Sequence, residues 1–218
     1  MKIDRDEMLR YMGFKGQTLT PENLRLFDEA ERLCLDVVEP KSAVRAFGYD
    51  DATCALVGTN VVFRGEDIKG HLRGCDRVYL VAATLGLGID RLTARLMREN
   101  AALGVAVDSA AVCAVESFLD DVCDKIAAEC GAPVTDRFSC GYGDFPLEQQ
   151  ADFVRLLDMN RKLGVYLGKG NLMTPMKSVT AVVGVGRATD KGMASCRADC
   201  ANCALDDCAY RKKTGEPV

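Results

Sequence analysis

The 218-residue chain has no tryptophan and a single histidine, His71. With one imidazole, histidine-based acid–base relays and histidine-rich metal sites are almost excluded. An excess of one charge is missing too: 28 basic and 32 acidic residues are intermixed for a net charge of −4. No broad positive field is therefore expected for nucleic acid or an anionic membrane. The N-terminal stretch MKIDRDEMLRYMGFKG has no apolar signal core, and no run reads as long and pure enough to span a membrane. These absences predict a soluble, cytoplasmic protein with neither nucleic acid nor membrane as partner.

Hydrophobic residues make up 48% of the chain, enough for a substantial core, and cysteine is abundant, with 11 residues. Cys34, Cys54, Cys75, Cys113, Cys123, Cys130 and Cys140 are scattered singly through helical or strand-like surroundings and read as reduced, mostly buried small hydrophobes. The other four, Cys196, Cys200, Cys203 and Cys208, follow a C-x3-C-x2-C-x4-C spacing among Asp, Arg and Asn. Four close thiolates can wrap one tetrahedral metal ion or one iron–sulfur cluster, and the polar residues between them offer no core for free thiols. The spacing does not separate zinc from [4Fe–4S], and two local disulfides or disordered thiols are the alternative. The first three cysteines also match the pattern of radical S-adenosylmethionine enzymes, but there it lies early in a barrel, whereas only ten residues follow Cys208. A shift in composition near Gly186 divides the chain into a folded domain, 1–186, and a cysteine-rich metal-binding tail, 187–218.

Along the first domain, residues 3–12 read as a short helix. Thr20 and Pro21 start a second, whose Leu24, Phe27, Ala30 and Cys34 recur at helical spacing until Glu39-Pro40. Residues 41–64 alternate short β-prone pieces with turn residues, as antiparallel strands do. A short helix over 66–72 precedes a buried strand, Arg77–Ala83, and the turn TLGLGID leads into a helix over 90–99. Gly86 and Gly88 there allow a phosphate-binding turn, but no G-x-G-x-x-G or Gly-Lys-Ser/Thr accompanies them, and strand–helix punctuation is the plainer reading. A long helix is expected from Asp108, as cap, to Cys130. Its apolar stripe of Val112, Leu119, Cys123 and Ile126 includes Glu116. A carboxylate among apolar neighbours is costly unless it is paired. Either Glu116 reaches solvent at the edge of the stripe, or it meets a positive charge on a ligand.

The stretch TDRFSCGYGDFPL, residues 135–147, places Arg137 four positions before Gly141, and Cys140, Gly141, Tyr142 and Gly143 together. Two glycines around a tyrosine let the backbone turn sharply and bring a ligand near main-chain N–H groups. The alternative is an ordinary strand-to-helix turn, with a helix-start signal at Asp144–Pro146. A helix over 146–158, a short strand near 165–167 and a β-rich run over 173–186 complete the domain.

Three segments, AVESFLDDV at 114–122, DRFSCGYGDFPLEQ at 136–149 and MTPMKSVTAVVGV at 173–185, carry a resemblance. In them the chain resembles the reactivation domain of cobalamin-dependent methionine synthase, in its small stand-alone form. The resemblance spans roughly residues 75–186. It implies a single α+β domain with a twisted antiparallel sheet and long flanking helices. It also implies binding of S-adenosylmethionine while cob(II)alamin on a partner is reduced and remethylated. The implied partners are a corrinoid protein or split methionine synthase and a low-potential electron donor, flavodoxin or ferredoxin. Arg137 ahead of Gly141-Tyr142 matches the family's methyl-donor arginine, and Glu116 matches its acidic residue in the long helix. The chemistry of the residues agrees, because a guanidinium can hold the donor's carboxylate and Glu116 suits its ammonium and sulfonium.

The chain departs from the family where Gly143 replaces a proline, where tyrosines after the last core strand have no match, and in its cysteine tail. The homocysteine, folate and corrinoid modules do not fit in 218 residues, so a component rather than a whole methionine synthase is expected. An iron–sulfur cluster in the tail would relay an electron, whereas zinc would brace a docking surface. Two readings stand beside this one. The first is a corrinoid- or metal-binding interaction module without methyl-donor binding. The second is a small methyltransferase, which the missing Rossmann fingerprint disfavours.

Overall fold

The computed structural model describes residues 1–14 and 17–186. Helix α1, Arg5–Tyr11, is capped by the Asp4 side chain, which accepts from the N–H groups of Asp6 and Glu7. Helix α2, Pro21–Val37, starts with a reciprocal capping box between Thr20 and Asn23, and Phe27, Ala30 and Cys34 form its buried stripe. Strands β1, Lys41–Asp50, and β2, Ala55–Leu56, follow, then helix α3, Glu66–His71, strand β3, Cys75–Thr84, and helix α4, Leu87–Glu99. Helix α5 covers Ala101–Cys130. Beyond it lie strand β4, Val134–Phe138, helices α6, Gln150–Leu157, and α7, Met159–Leu163, and strands β5, Tyr166–Leu167, β6, Met173–Thr174, and β7, Ser178–Gly186.

The fold is α+β, as the resemblance implies. Five strands form one antiparallel sheet in the order β2-β1-β3-β7-β4, and β5 and β6 form a separate hairpin. The central strand β3 is buried on both faces, so its period-two alternation feeds two cores. Val78, Leu80 and Ala82 join Phe47, Phe145, Phe153 and Leu157 on one side. Val81 and Ala83 meet Leu119, Val122 and Ile126 of α5 on the other. A third cluster packs α1, α2 and α4 around the first half of α5.

Three local expectations change. Residues 41–50 form one ten-residue strand running through Gly48, because pairing with β3 from Lys41 to Gly48 outweighs the turn tendency of that glycine. Helix α5 begins at Ala101 with Asn100 as its cap, and Asp108 lies inside it, paired with Lys177 at 2.8 Å. The earlier start is permitted by Gly104, where a Cβ would lie 2.9 Å from the backbone nitrogen of Met97. The 173–186 run is divided between the hairpin and the main sheet at the cis Thr174–Pro175 bond. Gly86 and Gly88 are strand–helix punctuation, the plainer reading: Gly86, at φ +80°, is the N-cap of α4, and a Cβ on Gly88 in its first turn would stand 2.8 Å from the Val37 carbonyl oxygen.

Among the described residues, α5 alone is long and apolar enough by composition to cross a membrane, contrary to the expectation that no segment is. Its most apolar window is 61% buried within the protein, as in a core helix.

Candidate functional site

The edge strand β4 delivers Arg137 to α5 through a β-bulge. Val134 pairs with Val185 and Arg137 with Val183, so three residues of β4 span two of β7. In a regular strand residues 134 and 137 would face opposite sides; the extra residue places both on the side of α5. Val134 packs there with Val183 and Ile126, while Phe138 turns to the other core. Without the bulge, Asp136 would occupy the Arg137 position and Glu116 would face a like charge.

Glu116 is matched by protein rather than left to solvent. Arg137 Nη1 donates to Glu116 Oε2 at 2.6 Å, and Nη2 lies 3.1 Å from Asp120 Oδ1. Asp120 is one helical turn beyond Glu116, so both carboxylates project from the same face of α5. The Arg137 side chain is 10% exposed, with Asp120 at 20% and Glu116 at 34%. The two residues expected to hold opposite ends of a ligand therefore hold each other. Two carboxylates and one guanidinium leave the group with a formal charge of −1. Asp120 was not singled out from the sequence, although its i,i+4 relation to Glu116 was the available signal.

The glycine-flanked loop is self-contained. Gly141 has φ +91° and Gly143 φ +50°, conformations that other residues adopt only with strain. Gly141 N–H donates to Phe145 O at 2.8 Å, Tyr142 N–H to Ser139 O at 3.1 Å and Phe145 N–H to Tyr142 O at 2.9 Å. Asp144 N–H donates to Asp67 Oδ2 at 3.1 Å. Three of these N–H groups bond within the loop and that of Asp144 bonds to α3, so none of the four is left to a ligand. Tyr142 extends outward, 48% exposed, with its ring edge-on to Phe138 at 6.0 Å. Cys140 points into the core, where burial pushes its thiol up to about 12.

The Asp144 signal was real but belongs to another helix. Its carboxylate accepts from Glu66 N–H at 2.6 Å and Asp67 N–H at 3.0 Å, capping α3 instead of the helix that follows it in sequence. The chain goes on through a 3-10 turn at Leu147–Gln149 into α6.

The seven described cysteines are free thiols, five of them buried, in line with the sequence reading. Among the described residues no cluster of His, Cys, Asp and Glu is arranged to hold a metal ion. Cys196, Cys200, Cys203 and Cys208 lie outside the described residues.

No protein-family model matches the chain, and no curated protein matches its sequence. The architecture defines an α+β domain with a five-stranded antiparallel sheet and a long core helix. Among solved structures it is similar to the crystal structure of the MetH reactivation domain bound to AdoHcy. The TM-score is 0.62 at 16% sequence identity, over 86% of this chain and 75% of that one. The chain thus has the fold of a reactivation domain.

Proposed function

We propose that the protein is an S-adenosylmethionine-binding reactivation partner, a component of a cobalamin-dependent methyltransferase or methionine synthase system. It would act on cob(II)alamin held by a separate corrinoid protein or split methionine synthase. The observation that carries this reading is the Glu116–Arg137–Asp120 group at the seam of β4 and α5, in a fold shared with a domain solved with AdoHcy. S-adenosylmethionine has an ammonium, a sulfonium and a carboxylate, for a net charge of about +1, complementary to the −1 of the group. On binding, the ligand's cationic groups would take over Glu116 and Asp120, and its carboxylate would take the guanidinium in a two-pronged hydrogen bond.

The partner's cobalamin, reduced by a flavodoxin- or ferredoxin-class electron donor, would supply the nucleophile that accepts the methyl group, leaving the methyl donor's sulfur as a thioether. This chain's residues would bind and orient the donor, and no general base is needed. The tail cysteines, Cys196, Cys200, Cys203 and Cys208, are proposed to hold zinc or an iron–sulfur cluster. Metal analysis and the visible spectrum of anaerobically purified protein, beside a variant with all four replaced by serine, separate these options.

A second reading, an interaction module without donor binding, is favoured by the closed Arg137–Glu116 pair and by the internal bonding of the loop N–H groups. Transfer of labelled methyl from S-adenosylmethionine to a corrinoid protein under reducing conditions distinguishes the two. Transfer dependent on this chain supports the reactivation partner. Stable association with the corrinoid protein and no transfer supports the interaction module.

A further inference from the structure

We infer that α3 is a clamp on the candidate donor-binding segment, with Asp67 and His71 as positioning residues for Arg137 and Tyr142. The consequence for ligand affinity rests on the donor-site reading above; the clamp itself rests on contacts within the chain.

Six residues are too few for a helix to be stable alone, and α3 starts at Gly65, which offers no side-chain cap. Its capping group comes from 78 residues away in the sequence, as Asp144 accepts from Glu66 N–H. The same contact runs in reverse, with the Asp67 carboxylate accepting from Asp144 N–H. Each segment therefore caps the other. The approach is close enough to require glycine on both sides. A Cβ on Gly143 would lie 2.0 Å from Asp67 Oδ2, and one on Gly65 would lie 2.6 Å from Asp144 Oδ1.

The other end of α3 grips the strand. His71 Nε2 is 2.7 Å from the Asp136 carbonyl oxygen, and the imidazole stacks at a tilt on Phe138 with centroids 5.0 Å apart. Phe138 in turn supports the Tyr142 ring. One short helix thus holds the chain immediately before Arg137 and immediately after Tyr142. Because α3 lies on the face of β4 opposite α5, it presses the strand without touching the ion group. The loop is closed by its own N–H bonds, so it moves as a unit and two attachment points suffice to orient it. Such fixing of a binding segment before the ligand arrives lowers the ordering cost of binding.

The absence of tryptophan makes the clamp measurable without a ligand. Tyr142→Trp introduces a single indole at the loop tip, and its acrylamide quenching and anisotropy report loop order. In that background Asp67→Ala is expected to raise quenching by about twofold, with the far-ultraviolet spectrum unchanged, the effect of losing a cap at an exposed site. Asp67→Asn keeps an acceptor oxygen and should restore the parent value. His71→Ala tests the other attachment and should loosen the indole as well, which keeps the idea testable if Asp67→Ala does not fold.

In the tyrosine-containing chain, Asp67→Ala should weaken S-adenosylmethionine binding about five- to tenfold, the equivalent of one cap, and Asp67→Asn should recover it. Identical indole behaviour in the parent, Asp67→Ala and His71→Ala would overturn the clamp whether or not the donor binds. So would Asp67→Asn failing as Asp67→Ala does. A loosened indole in a chain that binds no donor would uphold the clamp and refute the donor site.

Discussion

Arg137 and Glu116 meet at 2.6 Å across the seam between an edge strand and the long core helix, with Asp120 closing the other arm of the guanidinium. A β-bulge makes the meeting possible. Sharing one guanidinium between two carboxylates ties β4 to α5 and leaves one negative charge in excess.

Removing the guanidinium leaves two carboxylates facing each other in a partly buried seam. Arg137→Ala should therefore lower stability by about 2 kcal/mol, below the cost of breaking a fully buried pair because Glu116 is a third exposed. Glu116→Gln should cost less, about 1 kcal/mol, since Asp120 still serves the guanidinium. Urea unfolding of the two variants checks the order.

The excess charge predicts selectivity. AdoHcy lacks the sulfonium, so Asp120→Asn should weaken S-adenosylmethionine about three- to tenfold and AdoHcy by less, as expected for one charge contact in a partly screened site. Competition titrations at low and high salt measure both affinities. Equal losses for the two ligands would mean that Asp120 does not sense the sulfonium.

Gly143, where the resemblance implies a proline, lies at a position of the fold that admits no proline. At φ +50° a proline ring cannot form, and any Cβ strikes Asp67. Gly143→Ala should destabilise the protein by about 2 kcal/mol, from backbone strain plus the clash. Adding Asp67→Ala removes the clashing oxygen, so the double variant should lose less than the sum of the two single losses.

Burial lowers the pKa of His71, opposed by its hydrogen bond to the Asp136 carbonyl and by the Asp136 charge. The folded protein therefore favours neutral imidazole, and the unfolded chain binds the proton first. Stability from this group is present above about pH 6.5, the unfolded value, and is lost as pH falls through that value toward the lower folded pKa. His71→Gln should flatten this part of the stability profile, measured by unfolding at successive pH values.

The sequence made the local elements readable where the signal and its target lie close together. Thr20 with Pro21 marks α2, and the run Arg77–Ala83 marks the buried strand. Glu116 in an apolar stripe signalled a carboxylate in need of a counter-group, but solvent or a ligand was expected there and the counter-group is Arg137. What stayed hidden depends on distant pairing. Asp144 caps a helix 78 residues earlier, Asn100 displaces Asp108 as the cap of α5 because α4 packs against Gly104, and the bulge that aims Arg137 exists only in register with β7. Composition cannot report such relations, since each requires knowing which segments are neighbours.

Whether the Arg137–Glu116 seam holds a methyl donor is read from titration calorimetry of anaerobically handled protein with S-adenosylmethionine, using wild type beside Arg137→Ala and Glu116→Ala. Saturable one-to-one binding by wild type is expected, weakened at least about tenfold by each substitution, as for loss of a charge-assisted hydrogen bond. Heat from wild type no greater than dilution, or binding that neither substitution alters, would contradict it.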